Sequence, residues 1–106
     1  MSSTVRTQPE SITQQQVAPD RLWRVVLLDD DEHTYAYVIE MLCRLFQLPE
    51  ERAYQLACEV DRNGRVVVET TYLERAEFKR DQIHAYGADW RLERSSGSMT
   101  ALLEPA

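Results

Sequence analysis

The pattern of apolar residues predicts an α+β domain, built as a small, mostly antiparallel sheet covered on one face by three helices. Three observations carry that expectation. An apolar run, Arg24-Val25-Val26-Leu27-Leu28, reads as a strand covered on at least one face, and a second run rich in β-branched residues lies at Val66 to Thr70. Three stretches between and after these runs read as helices, which gives the order β-α-α-β-α-β. The chain has 106 residues, 43% of them hydrophobic, and a second domain would leave neither half with an adequate core.

Each element has its own local signal. Residues 1–20 hold Ser, Thr and Gln with two prolines and no aromatic residue, so they bury too little apolar surface to offset the entropy of ordering and read as a flexible tail. Extended, such a tail reaches on the order of 65 Å. The first strand covers Leu22 to Leu28. Thr34 caps a helix running to about Gln47, with Val38, Met41, Leu42, Leu45 and Phe46 on one side. Pro49 opens a second helix whose inner stripe is Ala53, Leu56, Ala57 and Val60, and Asn63-Gly64 ends it. Thr71-Tyr72-Leu73-Glu74 has the form of a capping box opening a third helix, which Gly87 terminates. Trp90 to Glu93 and Met99 to Leu103 flank Arg94-Ser95-Ser96-Gly97-Ser98 as a C-terminal hairpin, or as a loop leading to one final strand.

Composition narrows the function. A net charge of -6 and a pI near 4.8 oppose approach to phosphate backbones and anionic lipid, so neither nucleic acid nor membrane is an expected partner. No apolar stretch approaches the roughly 20 residues of a bilayer span, and Met1 to Gln16 lacks the hydrophobic block of a signal peptide; a cytoplasmic, monomeric protein is expected. Cys43 and Cys58 stand alone, without partners at metal-ligand spacing, and read as packing residues. No cofactor is implied.

The feature that points to chemistry is Asp29-Asp30-Asp31-Glu32-His33, where the first strand empties into a helix. Four adjacent carboxylates repel one another, and a cation held among them relieves that repulsion. If Asp61, at the end of the second helix, lies nearby, the acids border an apolar hollow. A ligand with a positive group beside a hydrophobic one fits, and the N-terminal residue of a protein has this form, because its α-amino group, with a pKa of about 7.7 to 8.0, is largely cationic at neutral pH. His33 and His84 read more readily as surface, capping or packing residues.

Over about residues 22 to 104 the chain resembles the ClpS adaptors of the AAA+ Clp protease. The resemblance is carried by the run from Arg24 to Asp31, by Val38-Ile39-Glu40-Met41-Leu42, by Glu51-Arg52-Ala53 with Gln55-Leu56, by the turn at Gly64, by Glu74-Arg75-Ala76-Glu77 with Lys79, and by Leu103-Glu104. It implies a non-enzymatic adaptor that binds destabilising N-terminal residues and delivers their proteins to a Clp unfoldase. The family holds the α-amino group with an Asn-Asp pair and a His; here Asp30 matches the Asp, while Asp29 replaces the Asn and Asp61 the His. Each replacement adds a carboxylate. One of the three is then expected to bind a proton in the empty site, with recognition weakening at mildly acidic pH.

The family's side-chain pocket maps onto His33, Tyr35, Val38, Ala57, Val60 and Met99. Ala57 opens its depth while Tyr35 crowds its rim, which favours N-terminal Phe, Leu, Trp or Tyr over a β-branched residue. Glu74, Glu77 and Lys79 match the surface that docks on the unfoldase's N-terminal domain. The segment between Tyr86 and Met99 is several residues longer than in the best-known members. Two alternatives remain at this level: a docking scaffold of the same fold that has lost N-terminal recognition, and a metal-dependent enzyme using the Asp cluster and His33.

Overall fold

The structure, a computed structural model, describes residues 21–106, so the expected tail at residues 1–20 lies outside the described residues. Strand β1 (Leu22–Leu28) is central, with β2 (Arg65–Tyr72) on one side and β3 (Ala101–Pro105) on the other, and both pairings are antiparallel. Alternation along β1 turns Val25 and Leu27 into the core, with Trp23 packed against it. Helices α1 (Tyr35–Phe46), α2 (Glu50–Asn63) and α3 (Leu73–His84) supply the rest of that core through Val38, Met41, Leu42, Ala53, Leu56, Ala57, Val60, Ala76 and Ile83. The order is the expected β-α-α-β-α-β.

Local signals explain most boundaries. Thr34 is extended, and its Oγ1 accepts from the Tyr37 N–H at 3.1 Å, which satisfies one of the free donors opening α1. Gly64 closes α2 in the left-handed region at φ 83°, donating its N–H to the Val60 carbonyl at 2.8 Å. Between them, Gln47 to Pro49 turns the chain so sharply that α1 and α2 run as a helical hairpin.

Three expectations need correction. The capping box at Thr71 does not form, because β2 continues in ladder register through Thr71 (opposite Trp23) and Tyr72 (opposite Leu22); α3 starts one residue later than Tyr72, without a side-chain cap. Helix α3 ends at His84 rather than Gly87: the Ala85 N–H is shared among the carbonyls of the last turn, and Gly87, at φ 106°, reverses the chain beyond it. The C-terminal hairpin is replaced by the alternative, a loop leading to the single strand β3. Its first arm is spent on turns, with Leu92 N–H on the Asp89 carbonyl at 3.1 Å and Ser95 N–H on the Leu92 carbonyl at 3.1 Å.

That loop, residues 87–99, is fastened to the start of α1. Asp89 is buried, and its carboxylate accepts from the Thr34 N–H at 2.7 Å, the Thr34 hydroxyl at 2.8 Å, the Arg91 N–H at 3.0 Å and Arg91 Nη1 at 3.2 Å. Arg91 also reaches Glu40 on α1 at 2.9 Å, and the Tyr37 hydroxyl donates to the Gly87 carbonyl at 2.5 Å. Burial pushes the Asp89 carboxyl up, but the donors of Thr34 and Arg91 together outweigh it and hold the group at about 2.

Truncating Asp89→Ala strands those donors and should destabilise the domain by about 2–4 kcal/mol in urea unfolding. Because the folded carboxyl is depressed below its unfolded value, its contribution, on the order of 2 kcal/mol, is complete above pH 4 and should fade as pH falls from about 4 to 2. Asp89→Asn should show a shallower loss of stability with acid than the native chain.

Candidate functional site

Three chain segments meet where β1 ends. The Leu28 N–H donates to the Thr100 carbonyl at 2.9 Å, and the Asp29 N–H to the Gly64 carbonyl at 3.0 Å, so the acidic loop is pinned against both the entrance to β3 and the exit of α2. Asp61 lies in the last turn of α2, three residues before Gly64. Asp29 and Asp61 thereby feel each other's charge: burial first, then Asp61, Asp30 and Asp31, raise the Asp29 carboxyl above its ordinary range, against the lowering effect of the Asp30 amide. The expected neighbourhood of Asp29 and Asp61 is present, and all three carboxylates of the expected set are exposed.

Asp30 is differently employed. Its Oδ1 accepts from the Glu32 N–H at 2.9 Å and contacts His33 Nδ1 at 2.7 Å. The His33 side chain is almost fully enclosed, 4.5 Å from the Tyr37 ring, with Nε2 at 2.6 Å from the Gly97 carbonyl. Both neighbours of the ring are acceptors, so it makes both bonds at once only with a proton on each nitrogen. His33 is thus neither a surface residue nor a helix cap. It clasps the acidic loop to the 87–99 loop, and Arg94 Nε adds a second clasp on the Asp31 carbonyl at 2.7 Å. The partner of His33 is 64 positions away, out of reach of local sequence patterns.

The apolar half is assembled but covered. Val38, Ala57, Val60 and Met99 share one core cluster, each with 5% of its surface or less exposed. Tyr35 is 41% exposed, and its hydroxyl donates to Asp61 Oδ2 at 2.7 Å. That bond, followed by partial burial and the Asp61 charge, pushes the phenol up to about 12. The Tyr35 ring is 6.2 Å from that of Tyr54, and the Cys58 thiol stands beside both phenols. A hollow of about 520 Å³ opens elsewhere, on the outer side of α1, lined by Ala36, Ile39, Glu40, Cys43, Arg44 and Glu50; none of the expected pocket residues lines it. Among the described residues no three His, Cys, Asp or Glu side chains are grouped as a metal site.

Glu74 and Glu77, the two acids of the expected docking surface, are exposed on α3. Lys79 is a correction. It turns inward, 6% exposed, its ammonium donating to the Leu45 carbonyl at the end of α1 and lying 5.3 Å from the Phe46 ring. A cation on the last carbonyls of a helix complements the negative end of its dipole, so Lys79 is a strut between α1 and α3. Burial, then the Arg75 charge, lowers its pKa. The exposed surface beside Glu74 and Glu77 instead carries Tyr72, Leu73 and Phe78, apolar residues that the charge pattern did not single out. His84, expected to be a packing or solvent residue, accepts the Ala101 N–H at Nε2 at 3.0 Å and ties α3 to β3.

Residues 18–90 match the family described as ATP-dependent Clp protease adaptor protein ClpS. The chain is 38% identical over 64 residues to the ATP-dependent Clp protease adapter protein ClpS of Nautilia profundicola, covering 60% of this chain and 66% of that one. It is 36% identical over 73 residues to the ClpS of Vibrio cholerae, 69% of each. The chain thus spans about two thirds of the length of these relatives. The fold is similar to that of Agrobacterium tumefaciens ClpS2 bound to L-phenylalaninamide, with a TM-score of 0.71 and 23% identity over 81% of this chain and 98% of that one. With more than half of its length matching the family, the chain belongs to the ClpS adaptors of the Clp protease, a family of adaptors and not of enzymes.

Proposed function

We propose that residues 21–106 form an adaptor domain that binds the free N-terminal residue of other proteins and hands them to a Clp AAA+ unfoldase in the cytoplasm. The observation that carries this reading is the charge crowding at the ends of β1 and α2, where Asp61 and the neighbouring acids raise the Asp29 carboxyl. An α-ammonium placed between Asp29 and Asp61 relieves it, and a unit charge pair at 4 Å is worth about 1 kcal/mol in water and about 4 at an effective dielectric of 20. Asp30, engaged by His33, shapes the loop and adds charge. The first side chain then enters among Val38, Ala57, Val60 and Met99 beneath Tyr35. The ligand of the ClpS2 structure, an amino-acid amide with a free α-amine and an aromatic side chain, is of the class this reading requires.

Glu74 and Glu77, with Tyr72, Leu73 and Phe78 around them, face the unfoldase's N-terminal domain. The closed apolar half favours a second reading as well, a scaffold that docks on the unfoldase without taking N-termini.

Peptides differing only in residue one, followed by fluorescence anisotropy, separate the two. Phe, Leu, Trp and Tyr should bind, Ile and Val more weakly, and acetyl-Phe at least tenfold more weakly than Phe, since acetylation removes the charge. Equal binding of free and acetylated Phe peptides would rule out α-amine recognition, whereas docking without any peptide binding would establish the scaffold.

Affinity should also pass through a maximum with pH. It falls above about pH 8 as the α-amine loses its proton. It falls again in acid as Asp29 is protonated, at a higher pH than an ordinary Asp because its carboxyl is raised. Replacing Glu74→Arg and Glu77→Arg together should abolish co-elution with the unfoldase's N-terminal domain while peptide affinity stays within twofold of the native value.

A further inference from the structure

We propose that Tyr35 is a latch: its bond to Asp61 shuts the side-chain pocket of the free protein, and an arriving N-terminal ammonium opens the pocket by taking Asp61 from it. The inference rests on the N-terminus-binding reading above and adds to it how the site discriminates.

Helices α1 and α2 are joined at one end by the turn Gln47 to Pro49, and at the other end, where α1 starts and α2 finishes, no turn connects them. Tyr35 is the first residue of α1 and Asp61 lies in the last turn of α2; their 2.7 Å hydrogen bond crosses that free end. Directly behind it stand the residues a side chain would need to reach. Val38 is one turn inward from Tyr35 on α1, Ala57 and Val60 lie inward from Asp61 on α2, and all three are buried. The phenol itself is substantially exposed and stands near Tyr54 and Cys58 on the flank of α2, so the ring can leave Asp61 without disturbing the core.

The exchange selects for charge. Asp61 accepts a neutral O–H in the closed state, and an ammonium offers the same carboxylate a hydrogen bond together with a full opposite charge. A neutral N-terminus offers no such gain and cannot open the latch. The bond to Asp61, made only by a charged N-terminus, therefore adds to the discrimination that Asp29 provides.

The test compares the native chain with Tyr35→Phe, which keeps the ring and removes only the hydroxyl, using a Phe-initiated peptide and its acetylated form. The variant should bind the free peptide about fivefold more tightly, the effect of one modest hydrogen bond no longer opposing entry. Its affinity for the acetylated peptide should rise by a similar factor, because the bond broken on opening costs both ligands alike. In the native chain carrying ring-labelled tyrosine, the Tyr35 Cζ resonance should shift on saturation with the free peptide and stay in place with the acetylated one. Equal or weaker binding by Tyr35→Phe, or a Tyr35 resonance that does not move while the free peptide binds, overturns the latch and leaves the adaptor reading standing. Failure of both proteins to bind any free N-terminus overturns the two together.

Discussion

Like charges crowded at the end of β1 stay in one place only if something holds the loop that carries them, and in this chain the loop of residues 87–99 does so. Its anchor is the Asp89 carboxylate, buried and surrounded by donors from Thr34 and Arg91. Thr34 is also the cap of α1, so one residue fixes both the helix start and the end of the acidic loop. His33 on the Gly97 carbonyl and Arg94 on the Asp31 carbonyl fasten the loop from the other side. Without these contacts, the repulsion among Asp29, Asp30, Asp31 and Asp61 would favour a loop spread into water.

The same arrangement divides labour among the acids. Asp30 is turned to His33 and the loop backbone, whereas Asp29 lies within reach of the Asp61 charge and Asp61 accepts from Tyr35. A histidine stands three positions after Asp30 and bonds to it, and the last turn of α2 carries an acid. Asp29, Asp30 and Asp61 thus concentrate negative charge at one end of the sheet. That crowding also leaves Asp61 in need of a donor, which Tyr35 provides.

Much of this was legible in the residues, because it depends on local rules. The strand β1, the Thr34 cap, the Gly64 stop and the apolar stripes of α1 and α2 follow from side-chain chemistry within a few positions, and the structure agrees at each. The errors arise where distant partners compete with local signals. Thr71 has a capping-box sequence, but the ladder with Trp23 claims its backbone. Trp90 to Glu93 has strand-forming residues, but Asp89 draws the segment into turns. Lys79 reads as one more surface charge on α3, but the end of α1 offers it a carbonyl and an aromatic face. Of the candidate site, the acids and the apolar residues can be named from the sequence, and the structure brings Asp29 near Asp61 and gathers Val38, Ala57, Val60 and Met99 in one core. The bond of Tyr35 to Asp61 and the clasp by His33 cannot be named from it, since each joins residues 26 or more positions apart.

The central claim is that an α-ammonium is held at the junction of β1 and α2. Backbone amide NMR of the native chain tests it most directly, titrating L-phenylalaninamide against 3-phenylpropanamide, which differs only in lacking the amine. The account predicts that the first ligand shifts the resonances of Asp29 to His33 and of Ala57 to Asp61, and that the second leaves them in place at the same concentration. Equal shifts from both ligands, or shifts confined to Ala36, Ile39 and Cys43 on the outer side of α1, would contradict it.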